Sequence, residues 1–228
     1  MNYRPSGFSF LPPVVKNLLI INGLSFFASI VFGRMGFDVL GKFGLYLPVS
    51  EFFEPYQLVT HLFLHDTSNL GHILGNMFAL WMFGTPLENL WGGKRFFVYY
   101  FVTGFGAAAL HLGVNYWDYV QASNLHELEG SLDALYRMQS LAMTPTVGAS
   151  GAVFGLLLGY GMMFPNQQIY LYFLLPIKAK WFVLIYGLFE LFNGVANSGS
   201  SIAHFAHVGG MIFGFLLIRR WQANRREF

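Results

Sequence analysis

Six apolar stretches constrain this chain more than any other feature, because each is long enough to cross a lipid bilayer as a helix. They run over 14–33, 70–87, 96–113, 147–164, 181–197 and 202–218. A crossing helix needs roughly 17–25 mostly apolar residues and satisfies its own backbone hydrogen bonds where water is absent. Composition agrees: of 228 residues, 55% are hydrophobic, 19% aromatic and 11% charged. A soluble domain of this size cannot hide so much apolar surface. The aromatic content also excludes a disordered chain. The pattern predicts an all-α polytopic membrane protein, one six-helix domain over 1–228, with the lipid bilayer as its solvent.

The connections are uneven. Residues 34–69 are mixed rather than polar, with Phe43, Leu45, Tyr46, Leu47, Phe52, Phe53 and Tyr56, and are expected partly in the interface. In 115–146, Ser131 is placed to cap a short amphipathic helix carrying Leu132, Leu135, Tyr136 and Met138. Ile169–Ile177 is apolar but too short to span, and is expected to extend the exit of the fourth helix. Asn197 to Ser201 is short and rich in Gly and Ser, which suits a lid. Met1 to Pro13 has one Arg and no small-residue cleavage site, so it does not read as a removable signal.

Charge sets the orientation. With the N-terminus inside, ten Lys and Arg residues fall on the inner side and three (Arg34, Lys42, Arg137) on the outer side. Cytoplasmic loops gather such residues, so both termini are expected in the cytoplasm. The net charge of +2 leaves no footprint for nucleic acid. Zero cysteine removes disulfides, thiolate zinc sites and cysteine nucleophiles together.

Polar groups inside a span are costly and need a reason. The second span has His72 and Asn76, the fourth Ser150, and the sixth His204 and His207. All three spans run from outside to inside. At about 1.5 Å of rise per residue, His72 lies about 3 Å deep, Ser150 about 4–5 Å, His207 about 7–8 Å and Asn76 about 9 Å. These four share the outer third of the membrane. The fourth span also carries Gly148, Gly151, Gly155 and Gly159, and the sixth carries Gly210 and Gly214. Small residues at four-residue intervals let helices approach closely in lipid. Contact between these two spans would bring Ser150 and His207 within reach. The same glycines taken alone are equally consistent with packing and nothing more.

A serine beside a histidine makes an activated nucleophile, since imidazole takes the hydroxyl proton and later returns it to the leaving group. Attack on a carbonyl creates an oxyanion that needs fixed donors. Ser150 opens its helix, where backbone N–H groups are unsatisfied and the dipole favours negative charge. His72 and Asn76, four apart, share a helix face and can both donate. With no carboxylate in the fourth or sixth span, the expectation is a Ser–His dyad. Separately, each residue has a blander use: a lone Ser in a membrane helix is usually packing, and His72 and Asn76 can bond to loop backbone. Their common depth favours chemistry. His204 is expected to face the loop, His111 and His126 to be interfacial, and Glu190 to make a structural hydrogen bond. His61, His65 and His72 give only a weak metal signal, without an HExxH pattern. No cofactor or metal is expected.

Together these residues resemble the rhomboid family of intramembrane serine proteases, over about residues 55–218. The resemblance rests on His72-x-x-x-Asn76, on Gly148-Ala149-Ser150-Gly151, and on Ala206-His207-Val208-Gly209-Gly210 with Gly214. It implies a six-helix bundle with a short fourth helix. It implies a catalytic Ser150, a general base His207, and oxyanion stabilisers His72, Asn76 and the Ser150 N–H. Implied substrates are membrane-anchored proteins cut near the outer end of a transmembrane helix. Many members carry a Trp-Arg pair in the first outer loop, where this chain has Tyr56-Gln57. That departure bears on seating in the bilayer more than on chemistry. The compact form suggests a bacterial inner membrane. Span five, rich in Phe and Leu, is a candidate side gate. The alternatives are a noncatalytic adaptor or chaperone for transmembrane segments, and a transporter, which lacks a broken helix or charged midplane pair.

Overall fold

The computed structural model describes residues 7–171, 175–196 and 204–224. From the N-terminus the elements are α1 (Pro13–Arg34), α2 (Val39–Phe43), α3 (Gln57–Thr60) with a 3-10 turn at His61–Phe63, α4 (Leu70–Trp91), α5 (Gly93–Glu129), α6 (Leu132–Met143), α7 (Ser150–Met163), β1 (Gln168–Leu171), β2 (Leu175–Lys178), α8 (Ala179–Ala196) and α9 (His204–Asn224). Among the described residues, α1, α5 and α8 are long and apolar enough to cross a membrane, and α7 is a shorter apolar helix. The expected Asn197–Ser201 lid lies outside the described residues.

Two connections differ from the sequence expectation. Helix α5 does not stop near residue 113 but continues to Glu129, 37 residues in all. No Gly or Pro interrupts 114–129, so nothing breaks the hydrogen-bond ladder until Gly130, which takes the left-handed conformation (φ 64°) and closes the helix onto the His126 carbonyl. At about 1.5 Å per residue α5 is about 55 Å long, well beyond the hydrocarbon thickness. Ser131 then caps α6, its hydroxyl accepting from the Ala134 N–H at 3.3 Å. The second difference is the segment after α7. It does not extend that helix. Pro165 cannot continue the ladder, and the Ile- and Tyr-bearing residues that follow pair as an antiparallel hairpin, with Ile169 opposite Ile177. The fold is therefore mostly helical rather than all-α.

Helix α7 is the centre of the core. Ala152, Val153, Phe154, Leu156 and Leu157 are buried along it, against Phe96, Tyr99 and Tyr100 of α5 and Leu80, Phe83 and Leu87 of α4. Small residues make that enclosure possible. A Cβ on Gly155 would stand 2.5 Å from Thr103 Cβ, and one on Gly159 3.0 Å from the Tyr99 hydroxyl. The Tyr99 hydroxyl donates to the Gly155 carbonyl at 2.7 Å, locking α5 to α7 in the buried core.

Two buried polar side chains fix the periphery. No side chain within α1 caps its first turn. The Glu88 carboxylate of α4 does so instead, accepting from the Val14 N–H at 3.0 Å and the Val15 N–H at 2.8 Å. A negative group at a helix N-terminus also meets the positive end of the dipole. In the first connection, Gln57 is buried and ties the loop together. Its Oε1 accepts from the Glu54 and Tyr46 N–H groups, and its Nε2 donates to the Phe52 and Lys42 carbonyls. The neighbouring Tyr56 hydroxyl donates to the Lys42 carbonyl at 3.2 Å. The Tyr56-Gln57 departure noted in the sequence thus has a defined local use: it organises the loop from within.

Candidate active site

The segment before α7 is held from two sides. Leu45 and Thr146 exchange backbone hydrogen bonds at 2.9 and 2.8 Å, and the Gly148 N–H donates to the His61 carbonyl at 3.0 Å. Gly148 has φ 131°, a region that side-chain-bearing residues rarely adopt. A Cβ there would stand 3.0 Å from His72 Nε2 and 3.7 Å from Ser150 Oγ. The bare glycine therefore lies between the His72 ring and the Ser150 hydroxyl. Ser150 is the first residue of α7, whose opening N–H groups have no partner within the helix.

Helices α7 and α9 meet backbone to backbone at the same level. A Cβ on Gly210 would strike the Gly151 carbonyl, standing 2.8 Å from its carbon, and one on Gly151 would come 3.4 Å from the Ala206 carbonyl oxygen. Gly214 faces the Tyr99 hydroxyl. Next to Ala206, the His207 ring stacks flat on Phe154, with centroids 4.0 Å apart and planes 8° from parallel. Phe154 is one turn beyond Ser150, on the same face of α7. Neither Ser150 Oγ nor His207 Nε2 has a hydrogen-bond partner among the described residues. Neither belongs to the sealed, unpartnered polar atoms, which come from Asn22, His65, Thr85 and Tyr100. Both atoms keep accessible surface.

The other ring nitrogen of His207 is engaged. His207 Nδ1 lies 2.8 Å from Glu190 Oε2, and His204 Nδ1 lies 2.7 Å from the same oxygen. A carboxylate only accepts, so both rings carry their proton on Nδ1. Glu190 is 4% exposed. His204, expected to face the loop, is buried and bonded to Glu190 of α8; the preceding loop lies outside the described residues. Glu190 makes not one structural hydrogen bond but two. The three groups also offer ligand atoms within 4.8 Å of one another, a spacing that suits a metal ion. The two short hydrogen bonds to a single oxygen already account for their convergence.

On α4, the His72 ring lies against Gly148, which also borders the Ser150 hydroxyl. Asn76 is buried, and its Nδ2 donates to the His72 carbonyl at 3.0 Å, which leaves one amide hydrogen uncommitted. His65 is 0% exposed, with neither ring nitrogen bonded, and packs edge-on to His72 at 5.1 Å. Burial, aided by the charge of His72, pushes the His65 imidazolium down to about 4. Burial likewise pushes His61 down to about 4, although its Nδ1 bonds the Gln57 carbonyl at 2.7 Å. His61 is thus engaged with backbone rather than turned with His65 and His72 toward a common ligand. His111 pairs with the Thr146 hydroxyl at 2.9 Å and with Asn115 at 3.1 Å, and braces the approach to α7.

Comparison with known proteins adds an independent line. Residues 53–221 match the family model of the Rhomboid domain. The chain is 26% identical to the mitochondrial RHOMBOID-like protein 12 of Arabidopsis thaliana, over 94% of this chain and 60% of that protein. It is 28% identical to the mitochondrial Rhomboid protein 1 of Saccharomyces cerevisiae, over 82% of this chain and 52% of that protein. It is 29% identical to Rhomboid protease AarA of Providencia stuartii, over 66% of this chain and 50% of that protein. The chain spans about half to three-fifths of the length of these curated relatives.

Proposed function

The chain belongs to the rhomboid family, and on that premise we propose that it is an intramembrane serine protease in which Ser150 is the nucleophile and His207 the general base. The observation that carries this reading is the stacking of the His207 ring on Phe154, one turn from Ser150, on helices that touch at Gly151 and Gly210. The missing Ser150–His207 hydrogen bond is compatible with it, because such bonds often tighten only when substrate is bound.

In this mechanism the Ser150 hydroxyl gives its proton to His207 Nε2 as Oγ bonds the scissile carbonyl carbon. The carbonyl electron pair moves onto oxygen. The Ser150 N–H, His72 and the free amide hydrogen of Asn76 are donors for that oxyanion. The imidazolium then protonates the leaving nitrogen as the C–N bond breaks. A water molecule, deprotonated by the same ring, hydrolyses the acyl-enzyme.

The proposed membrane arrangement uses α1, α4, α5, α7, α8 and α9 as six spans. The fourth, α7, is the short one: 14 residues reach only about 21 Å. Its first residue, Ser150, then lies below the outer face, with both termini on the cytoplasmic side of a bacterial plasma membrane. Substrates in this reading are membrane-anchored proteins whose helices unwind locally at the cleaved bond. Helix α8 is the proposed side gate, since its outer face exposes Leu188, Phe189, Phe192 and Val195. Fluorophosphonate labelling in membranes tests the reading directly. Wild-type protein should label and Ser150→Ala should not, while His207→Ala should label far more slowly. Equal labelling of all three, or none of the wild type, would overturn the protease in favour of a noncatalytic adaptor.

A further inference from the structure

The dyad read from the sequence leaves a carboxylate unused, and its position relates it to the base. Glu190 enters from α8, and one of its oxygens receives Nδ1–H from both His207 and His204, at 2.8 and 2.7 Å. We propose that Glu190 is a positioning residue that fixes His207 in the tautomer with its proton on Nδ1 and its lone pair on Nε2. This deepens the protease reading and rests on it.

First, a neutral imidazole can carry its proton on either nitrogen, and only the Nδ1–H form leaves Nε2 able to accept from a serine hydroxyl. Glu190 can bond only the Nδ1–H form. Second, the ring needs its plane fixed as well as its tautomer. Phe154 stacks on one face at 4.0 Å, and Glu190 holds the edge opposite Nε2. Third, the ring becomes an imidazolium after taking the serine proton, and an anion on Nδ1 stabilises that charge where water is scarce. His204, three residues earlier on α9, fastens the carboxylate itself by a second bond to the same oxygen. The other titratable rings near His207 are His72 on α4 and His111 on α5. Neither makes a hydrogen bond to it, so Glu190 is the group that distinguishes the two ring nitrogens.

The test uses the full chain in lipid nanodiscs, with a membrane-anchored peptide substrate and ¹⁵N-histidine. Glu190→Gln keeps the shape but can donate to Nδ1, which permits the wrong tautomer. It should lower kcat by about 100-fold or more, by analogy with the same change in a serine-protease triad. KM should change less than about threefold. Fluorophosphonate labelling of Ser150 should slow in proportion. Glu190→Asp, which keeps the charge, should recover part of kcat. The ¹⁵N spectrum of native protein should show His207 protonated on Nδ1 and bare on Nε2, and Glu190→Gln should show a mixture. A Glu190→Gln protein with native kcat overturns the inference, as does a native spectrum with the His207 proton on Nε2. That spectrum needs no variant to fold. Failure of the protease reading looks different: Ser150→Ala and His207→Ala would then cleave like wild type.

Discussion

Replacing Gly210 by alanine is the sharpest single test of how α7 and α9 are held. The added methyl would lie on the Gly151 carbonyl, within 2.8 Å of its carbon and 3.4 Å of its Cα. Ordinary contact between such atoms is about 3.5–4 Å, and both neighbours are helix backbone, so no side chain can rotate away. The helices must part by roughly 1 Å. Overpacking of this kind costs about 1–3 kcal/mol, while alanine returns about 1 kcal/mol of helix propensity. A net loss of up to about 2 kcal/mol corresponds to a fall in melting temperature of up to about 8 °C for a chain of this length. Activity should suffer more than stability. Parting α7 from α9 moves Ser150 relative to His207, and a 1 Å misplacement can lower the rate about 100-fold. The assay pairs thermal unfolding in detergent with fluorophosphonate labelling at a temperature where the variant is folded. Gly23→Ala on α1 and Gly113→Ala on α5 are the controls, since a Cβ at either meets nothing within 4 Å. Both should melt at or slightly above wild type and label normally. A Gly210→Ala protein that melts and labels like these controls would refute the close approach and the placement of the two side chains.

Three other expectations follow from features of the fold. Gly148→Ala combines an unfavourable φ of 131° with a methyl 3.0 Å from His72 Nε2; labelling of Ser150 should drop at least tenfold, with a melting temperature lower by several degrees. Gln57→Ala removes four hydrogen bonds and leaves the Tyr46 and Glu54 N–H groups and the Phe52 carbonyl without this partner, while the Lys42 carbonyl keeps the Tyr56 hydroxyl; at about 1 kcal/mol per lost bond, limited proteolysis should open the 44–57 loop well before the rest of the chain. The third concerns pH. His61 and His65 are held neutral to about pH 4 in the fold but titrate near 6.5 when unfolded. The unfolded chain therefore binds more protons between pH 6.5 and 4, so stability is full above that window and falls as pH drops through it. The loss at pH 5 is on the order of 2 kcal/mol per histidine. Melting temperature against pH should show it, and His65→Gln should flatten the curve; an unchanged curve would contradict the buried neutral ring.

Much of this organisation is legible in the sequence because lipid imposes simple rules. The apolar stretch 14–33 appears as Pro13–Arg34, and the start of the fourth stretch, near 147, as the helix opening at Ser150. Ser131 caps α6 as its residue type predicts. The strand pair is not legible because an apolar run of nine residues has no decisive period. The reach of α5 escaped because membrane hydropathy marks where lipid ends, not where a helix ends. The Glu190 cluster escaped for a different reason. The carboxylate belongs neither to the helix of Ser150 nor to that of His207 but to a third, α8. The signal was present: an acidic residue in an apolar helix requires a partner, and two histidines three apart on the next helix were the available ones.

Helix α8 has a divided task, since most of its apolar window stands outside the packed interior while its one carboxylate is buried against α9. Hydrogen bonds of 2.7 and 2.8 Å do not survive a displacement of even one atomic diameter. A swing of α8 wide enough to admit another helix would carry the anion away from both rings and leave the imidazole unsteered during entry. Cutting could resume only when the helix settled back. Admission and scission would then be successive states of one latch, and a guest too bulky to let it close would be held without being cut.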